Sequence, residues 1–262
     1  LQDVFAYLNA LPEKIVVVID EYPYLKAMND SATVDSIFQN IIDNRLVNIE
    51  LILSGSHIGM MKDALQEKNA LYGRFAVTIK LNELNYLEAA KFYPDKTPYD
   101  KAAHYAVFGG SPFVNQALQP TATIRENIIS TILNPMSAVY LYASQLLLSD
   151  YSVKINAERI FSVIGNGKKR YTEIEDKLDV KKTGNLSKQI KSLIDLEIIA
   201  RNSPINKIGD NKKSTFEIND NLLRFYFTFI YKNASALQVL GAEAFYDEYI
   251  APALTDFISR RF

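Results

Sequence analysis

Three patterns of hydrophobic and polar positions follow one another along this chain. In the first, short unbroken runs of apolar residues alternate with stretches of helical spacing. Ile15-Val16-Val17-Val18-Ile19 is the first run. Five β-branched residues in a row suit a strand buried on both faces, as in a parallel sheet covered by helices. Val34, Ile37, Phe38, Ile41 and Ile42 then form a helical stripe. Residues 49–53 are a second buried run, ending in Ser54-Gly55-Ser56. Residues 59–67 read as a short helix, 76–81 as a third strand, and 85–92 as a helix with Asn85 as its N-cap. This order predicts a parallel sheet with right-handed crossovers.

From residue 101 the alternation gives way to helices. Residues 101–108 stop at Gly109-Gly110, and Pro112 sits just inside the next helix start, where a missing N–H does little harm. Helices are also predicted over 124–133 and 138–148. A third pattern begins near residue 153. Residues 157–165 form a helix closed by Gly165-Asn166-Gly167. Residues 171–178 form a second, with Thr172 and Glu175 close to a capping box. Within 184–196, Leu186, Ile190, Leu193 and Ile194 make a buried stripe, and 198–201 pairs with 214–218 across the polar loop 206–213. That is the pattern of a winged helix. Residues 221–231 and 242–261 read as aromatic-rich helices. The expected domains are an α/β parallel-sheet core over 1–98, an all-α lid over 99–150, a winged helix over 151–220 and an aromatic helical segment over 221–262.

Composition narrows the chemistry. The 262 residues include no Cys and two His, His57 and His104. A disulfide framework, a thiolate metal site and a His-rich metal cluster are thereby excluded. No apolar run approaches the roughly 18 residues that span a bilayer. No membrane partner is expected, and a cytoplasmic location is. Net charge is −1, but it is unevenly spread: residues 151–218 hold 14 Lys and Arg against 9 Asp and Glu, or +5, which leaves −6 elsewhere. A basic module therefore adjoins an acidic one. On the helix predicted over 184–196 the polar face offers Asn185, Lys188, Gln189 and Lys191, with Lys181 and Lys182 in the turn before it. Such side chains suit double-stranded DNA, with the bases and phosphates of the major groove in reach. They equally suit a solvated face that meets only protein.

Asp20 and Glu21 fall where the first strand leaves the sheet, the edge at which open α/β sheets bind ligands. A carboxylate there can hold Mg²⁺ while its neighbour orients an attacking water. Two solvated carboxylates at a strand end would look the same. Ser54 lies at the neighbouring strand tip, able to sense a γ-phosphate. Arg74 precedes the third expected strand, and its guanidinium suits phosphate oxygens. In Gly109-Gly110-Ser111-Pro112 the proline could offer an apolar face to an adenine ring, although a helix stop followed by a first-turn proline explains these residues locally. Gly165-Asn166-Gly167-Lys168-Lys169 has the composition of a phosphate loop, but the wrong spacing and no buried strand before it; it reads as a helix C-cap and basic turn. His57 is a loop residue, and His104 is expected to be structural. The aromatic residues at 225, 226, 227, 229 and 231 have the spacing of a core.

In order, Val18-Ile19-Asp20-Glu21-Tyr22-Pro23-Tyr24-Leu25, Leu51-Ile52-Leu53-Ser54-Gly55-Ser56, Leu71-Tyr72-Gly73-Arg74, Gly109-Gly110-Ser111-Pro112 and Asn221-Leu222-Leu223-Arg224-Phe225-Tyr226-Phe227 resemble the archaeal-type ATPase family of AAA+/STAND P-loop NTPases. The resemblance spans nearly the whole chain. It implies a partial P-loop NTPase core followed by the lid and the winged helix, with ATP and Mg²⁺ as ligands and a homo-oligomer as a candidate state. It implies that Asp20 holds Mg²⁺ through water, Glu21 polarises the hydrolytic water, Ser54 is the sensor, Arg74 contacts the γ-phosphate in cis or trans, and Gly110 and Pro112 flank the adenine. No G-x-x-x-x-G-K-[ST] occurs in these residues, and the family's nuclease-like domain has no counterpart. The expectation is a chain cut before its phosphate loop and before that domain, inactive alone. A DNA-binding regulator with the ATPase fold as scaffold is the alternative.

Overall fold

A computed structural model describes residues 1–28, 31–56, 58–142, 157–165, 167–179, 185–204 and 213–261. The chain divides into two compact units, Leu1–Leu81 and Asn82–Phe262.

The first unit runs α1 (Gln2–Asn9), β1 (Ile15–Ile19), α2 (Tyr22–Met28), α3 (Ser31–Arg45), β2 (Ile49–Leu53) and α4 (Ile58–Asp63). β1 and β2 pair in parallel, Ile15 opposite Ile49 and Ile19 opposite Leu53, so the two strands end together. Parallel pairing demands a long crossover, which α2 and α3 supply. Alternate residues point to opposite faces. Val17, Ile19, Leu51 and Leu53 pack against Phe5 of α1, Tyr22 of α2, and Phe38 and Ile41 of α3. The opposite face is not covered: Val16, Val18 and Ile52 are 58%, 59% and 50% exposed. The expectation of a strand buried on both faces is corrected, because the described helices of this unit all pack against the Val17–Ile19 side.

Residues 76–81 form no strand, and Val77, Ile79 and Leu81 are exposed. Their alternation has strand character, but a strand exists only where its N–H and C=O groups meet a neighbour's. The sheet here is the pair β1-β2. Within the helical side, Asp35 is buried and fully engaged: Tyr22 Oη, Lys26 Nζ and Asn69 Nδ2 donate to its carboxylate at 2.5, 2.8 and 2.8 Å. Removing one partner of such a desolvated pair costs about 3–5 kcal/mol, so this network fixes α2 against α3.

The second unit opens with α5 (Tyr86–Ala89), α6 (Pro98–Phe108), α7 (Pro112–Ala117) and α8 (Ile124–Asn127), the last running into a π turn at Ile128–Ile132. Asn85 caps α5 as its side chain predicts, accepting from the N–H groups of Leu87 and Glu88. Further on come helix Ala157–Ile164, β3 (Lys169–Arg170), helices Tyr171–Leu178 and Asn185–Asp195, then β4 (Ile199–Asn202) and β5 (Thr215–Ile218). The sheet is antiparallel in the order β3-β5-β4. β3 was not foreseen, being two cationic residues that pair with β5. The cap before Tyr171 also differs from expectation: Glu173, rather than Glu175, accepts from the Arg170 N–H at 2.7 Å.

Helix Asn221–Phe225 and the π turn Tyr226–Ile230 follow. This segment serves two cores. Leu222, Phe225 and Phe229 enter one with Phe108, Val114 and Phe257; Leu223 and Phe227 enter the other with Phe161, Ile190 and Leu193. The single helix expected over 242–261 is interrupted by a π turn at Tyr246–Ile250 before Ala251–Ser259.

Candidate functional site

The register of β1 and β2 delivers Asp20 and Ser54 side by side. Ser54 N–H donates to Ile19 O at 2.9 Å, and Tyr22 N–H donates to Ser54 O at 2.8 Å, which ties the two strand ends together. Ser54 Oγ then donates to Asp20 Oδ1 at 2.5 Å, and Glu21 N–H reaches the same oxygen at 3.1 Å. Glu21 occupies the left-handed region, φ +53°, at the turn from β1 into α2. A non-glycine residue held there costs about 1–3 kcal/mol. The conformation aims its carboxylate at the next strand's exit, where Ser56 N–H donates to both oxygens at 3.2 and 3.3 Å. Asp20 is exposed, and Glu21 and Ser54 are half-buried, so all three are open to a ligand.

Two residues outside the expected site shape it. Pro23 is buried in the first turn of α2, where its missing N–H is harmless. A Cβ on Gly55 would lie 2.5 Å from Pro23 Cδ, so only glycine lets the Ser54–Ser56 turn approach α2 this closely. The signal in the sequence was the Tyr22-Pro23 pair directly after the acidic residues.

Arg74 lies elsewhere in the same unit. Its Nε and Nη2 donate to the two carboxylate oxygens of Asp43 at 2.8 and 2.7 Å, and Nη1 donates to Tyr72 O at 3.2 Å. The guanidinium fork holds the Asp43 carboxyl below the usual carboxylate range. A phosphate contact by Arg74 would require that fork to open.

Gly110 and Pro112 belong to the second unit. A Cβ on Gly110 would overlap Leu84 O at 2.0 Å, and Leu84 N–H donates to Gly110 O at 3.0 Å, so the glycine is fixed by close backbone approach. Asn115 Nδ2 donates to Gly109 O and Ser111 O at 3.0 and 2.8 Å, and the Tyr93 hydroxyl donates to Asn115 Oδ1. These bonds lock the Gly-Gly-Ser-Pro turn and leave Pro112 exposed. His104 is buried, and burial depresses its pKa, consistent with a structural neutral imidazole. Lys188 and Lys191 are exposed and Gln189 half-buried on helix Asn185–Asp195, whose Leu186, Ile190 and Leu193 face the core. Asn185 begins that helix. Its side chain, together with His57, Lys181 and Lys182, lies outside the described residues.

Among the described residues, no group of three or more His, Asp or Glu side chains converges as a metal site, and no helix is long and apolar enough to cross a membrane. No protein-family model matches the chain. A protein of Methanocaldococcus jannaschii, described only as uncharacterized, is 29% identical over 258 residues, which is 95% of this chain and 57% of that protein. Among solved structures, a Walker-type ATPase of Pyrococcus abyssi matches with a TM-score of 0.57 at 18% identity, over 87% of this chain and 65% of that one. The chain thus spans less than two thirds of each of these relatives, and its likeness to the second is one of fold: that of a Walker-type ATPase.

Proposed function

We propose that the chain is the hydrolytic portion of an ATPase of the AAA+/STAND type, with ATP as substrate at the tips of β1 and β2. The observation that carries this reading is the Ser54–Asp20 hydrogen bond between adjacent parallel strand ends, beside a Glu21 carboxylate held by the Ser56 backbone N–H. Asp20 and Ser54 are hard oxygen donors, too few to cage a metal by themselves. That fits Mg²⁺, which takes one or two carboxylates and completes its shell with water and substrate phosphates. When bound, Mg²⁺ would supply positive charge against the phosphate oxygens. Asp20 would hold it, Ser54 would fix the Asp20 carboxylate and read the γ-phosphate, and Glu21 would orient and deprotonate the attacking water. Arg74 would reach phosphate after leaving Asp43, in its own subunit or a neighbour's.

Residues 157–218 fit a winged helix in this reading, supported by their order of helix, β3, two helices, β4 and β5 and by the β3-β5-β4 sheet. The test of the ATPase reading uses a chain extended to the length of the relatives it matches. Glu21→Gln should keep ATP affinity within about twofold and lower turnover by about 10²-fold or more. Unchanged turnover would remove Glu21 from the chemistry. A second reading, a DNA-binding regulator, is favoured by one observation: Lys188 and Lys191 stand exposed one turn apart on the outer face of Asn185–Asp195.

A further inference from the structure

The second unit contains a cavity of about 620 Å³ whose polar lining is mainly cationic: Lys168, Lys169, Arg224 and Arg260, with Glu217 and Asp256. Two of these cations are matched. Lys168 Nζ lies 3.6 Å from Glu217 Oε1, and Arg260 Nη2 lies 2.5 Å from Asp256 Oδ2. Lys169 and Arg224 form no ion pair among the described residues, so the wall carries two unmatched positive charges.

Arg224 is the more telling of the two. It is 7% exposed, yet Nη2 makes only long bonds, 3.3 Å to Ala106 O and 3.4 Å to Phe257 O, and its Nε has no acceptor. Its guanidinium carbon lies 4.0 Å from the Phe257 ring centroid. Burial, reinforced by the like charges of Arg261 and Arg260 and opposed by Glu217, brings its pKa down to about 10. Buried charged groups with an unmet donor are rare in native proteins, and a bound water, ion or ligand is their usual partner. The glycine turn before the lysines has a role here. Gly165 N–H to Phe161 O at 2.7 Å and Gly167 N–H to Ile164 O at 3.1 Å end the helix Ala157–Ile164. Gly167, at φ +113°, then turns the chain, and Lys168 and Lys169 follow at the cavity wall.

We propose that this cavity binds a small phosphomonoester, its phosphate on Lys169 and Arg224 with Arg260 assisting, and its carbon skeleton against Phe229 and Phe257. A phosphomonoester is close to a dianion at neutral pH, which matches the two unmatched charges. Guanidinium and ammonium groups are the usual phosphate partners. The volume lies within the range of pockets that hold nucleotide-sized molecules, about 300–1,000 Å³.

Calorimetric titration of the 262-residue chain with inorganic phosphate and with AMP, against adenosine as control, tests the assignment. Both phosphates should bind saturably at one site, and adenosine should not. Lys169→Ala and Arg260→Ala should each weaken binding by about tenfold while the unfolding temperature without phosphate stays unchanged. Arg224→Lys should weaken it further. Should that buried variant fail to fold, the two accessible ones decide the matter. Absence of saturable binding, or affinity in Lys169→Ala and Arg260→Ala unchanged from that of the parent chain, would overturn the proposal. So would binding of a DNA duplex through Lys169 with no binding of phosphate or AMP, which would make the cavity a backbone contact.

Discussion

At the scale of single residues, the most consequential conformations belong to groups that a hydropathy pattern treats as ordinary. Glu21 is held at positive φ, and Glu83 is held beside Asp220. Although Glu83 is exposed as a whole residue, crowding around its carboxyl and the adjacent Asp220 carboxylate push its pKa up to about 7. Asp220 is raised as well, chiefly by burial, while the Leu223 N–H that it caps at 2.6 Å and the Glu83 carboxyl oppose the rise. The two carboxyls therefore hold a proton between them to higher pH than a free carboxylate would. A carboxyl whose folded pKa exceeds its unfolded value binds more protons in the native state, so stability is full below about pH 4.5 and falls as pH rises toward 7. Thermal unfolding followed from pH 4.5 to 7.5 should show Glu83→Gln gaining on the parent chain as pH rises, a difference in which the opposite contribution of the buried His104, present in both, cancels. Asp43, shifted downward by Arg74, acts with opposite sign and only in more acidic solution.

At the scale of elements, what the sequence reveals depends on whether a segment's partners are themselves in the pattern. β1, β2 and the helix Asn185–Asp195 are legible because each buries a stripe against neighbours that the same pattern predicts. Residues 76–81 alternate like a strand and are not one, because alternation says nothing about whether a neighbouring ladder exists. β3 escaped for the opposite reason: Lys169 and Arg170 carry no strand signal and pair only because β5 passes them. At the strand tips, the adjacency of Asp20, Glu21 and Ser54 was readable, since both apolar runs end there and parallel register brings the ends together. The Asp43 fork on Arg74 was not, since it joins residues 31 apart through side chains alone. Helix Asn185–Asp195 also carries a prediction. If it meets DNA, Lys188→Glu with Lys191→Glu should reduce the slope of log affinity against log salt by about 2, read by fluorescence anisotropy of a labelled duplex. An unchanged slope would leave this face to solvent or protein.

At the scale of the molecule, the two units differ in how their cores are built. The first rests on one sheet pair, one cluster beneath it and the buried Asp35 network. The second has two clusters joined by the aromatic segment from Leu222 to Ile230, whose residues are divided between them. Phe227→Ala removes a fully buried ring from one cluster and should cost about 3–5 kcal/mol. Hydrogen exchange should then show protection falling together in residues 98–132 and 157–218, the two regions keeping a common opening free energy; a loss confined to 157–218 would mean that the clusters open separately. The shared segment has a mechanical meaning too. To turn one cluster against the other, the chain would have to draw either Phe225 or Phe227 out of its seat. Among the described residues, a displacement imposed on one cluster is therefore passed to the other through this shared segment.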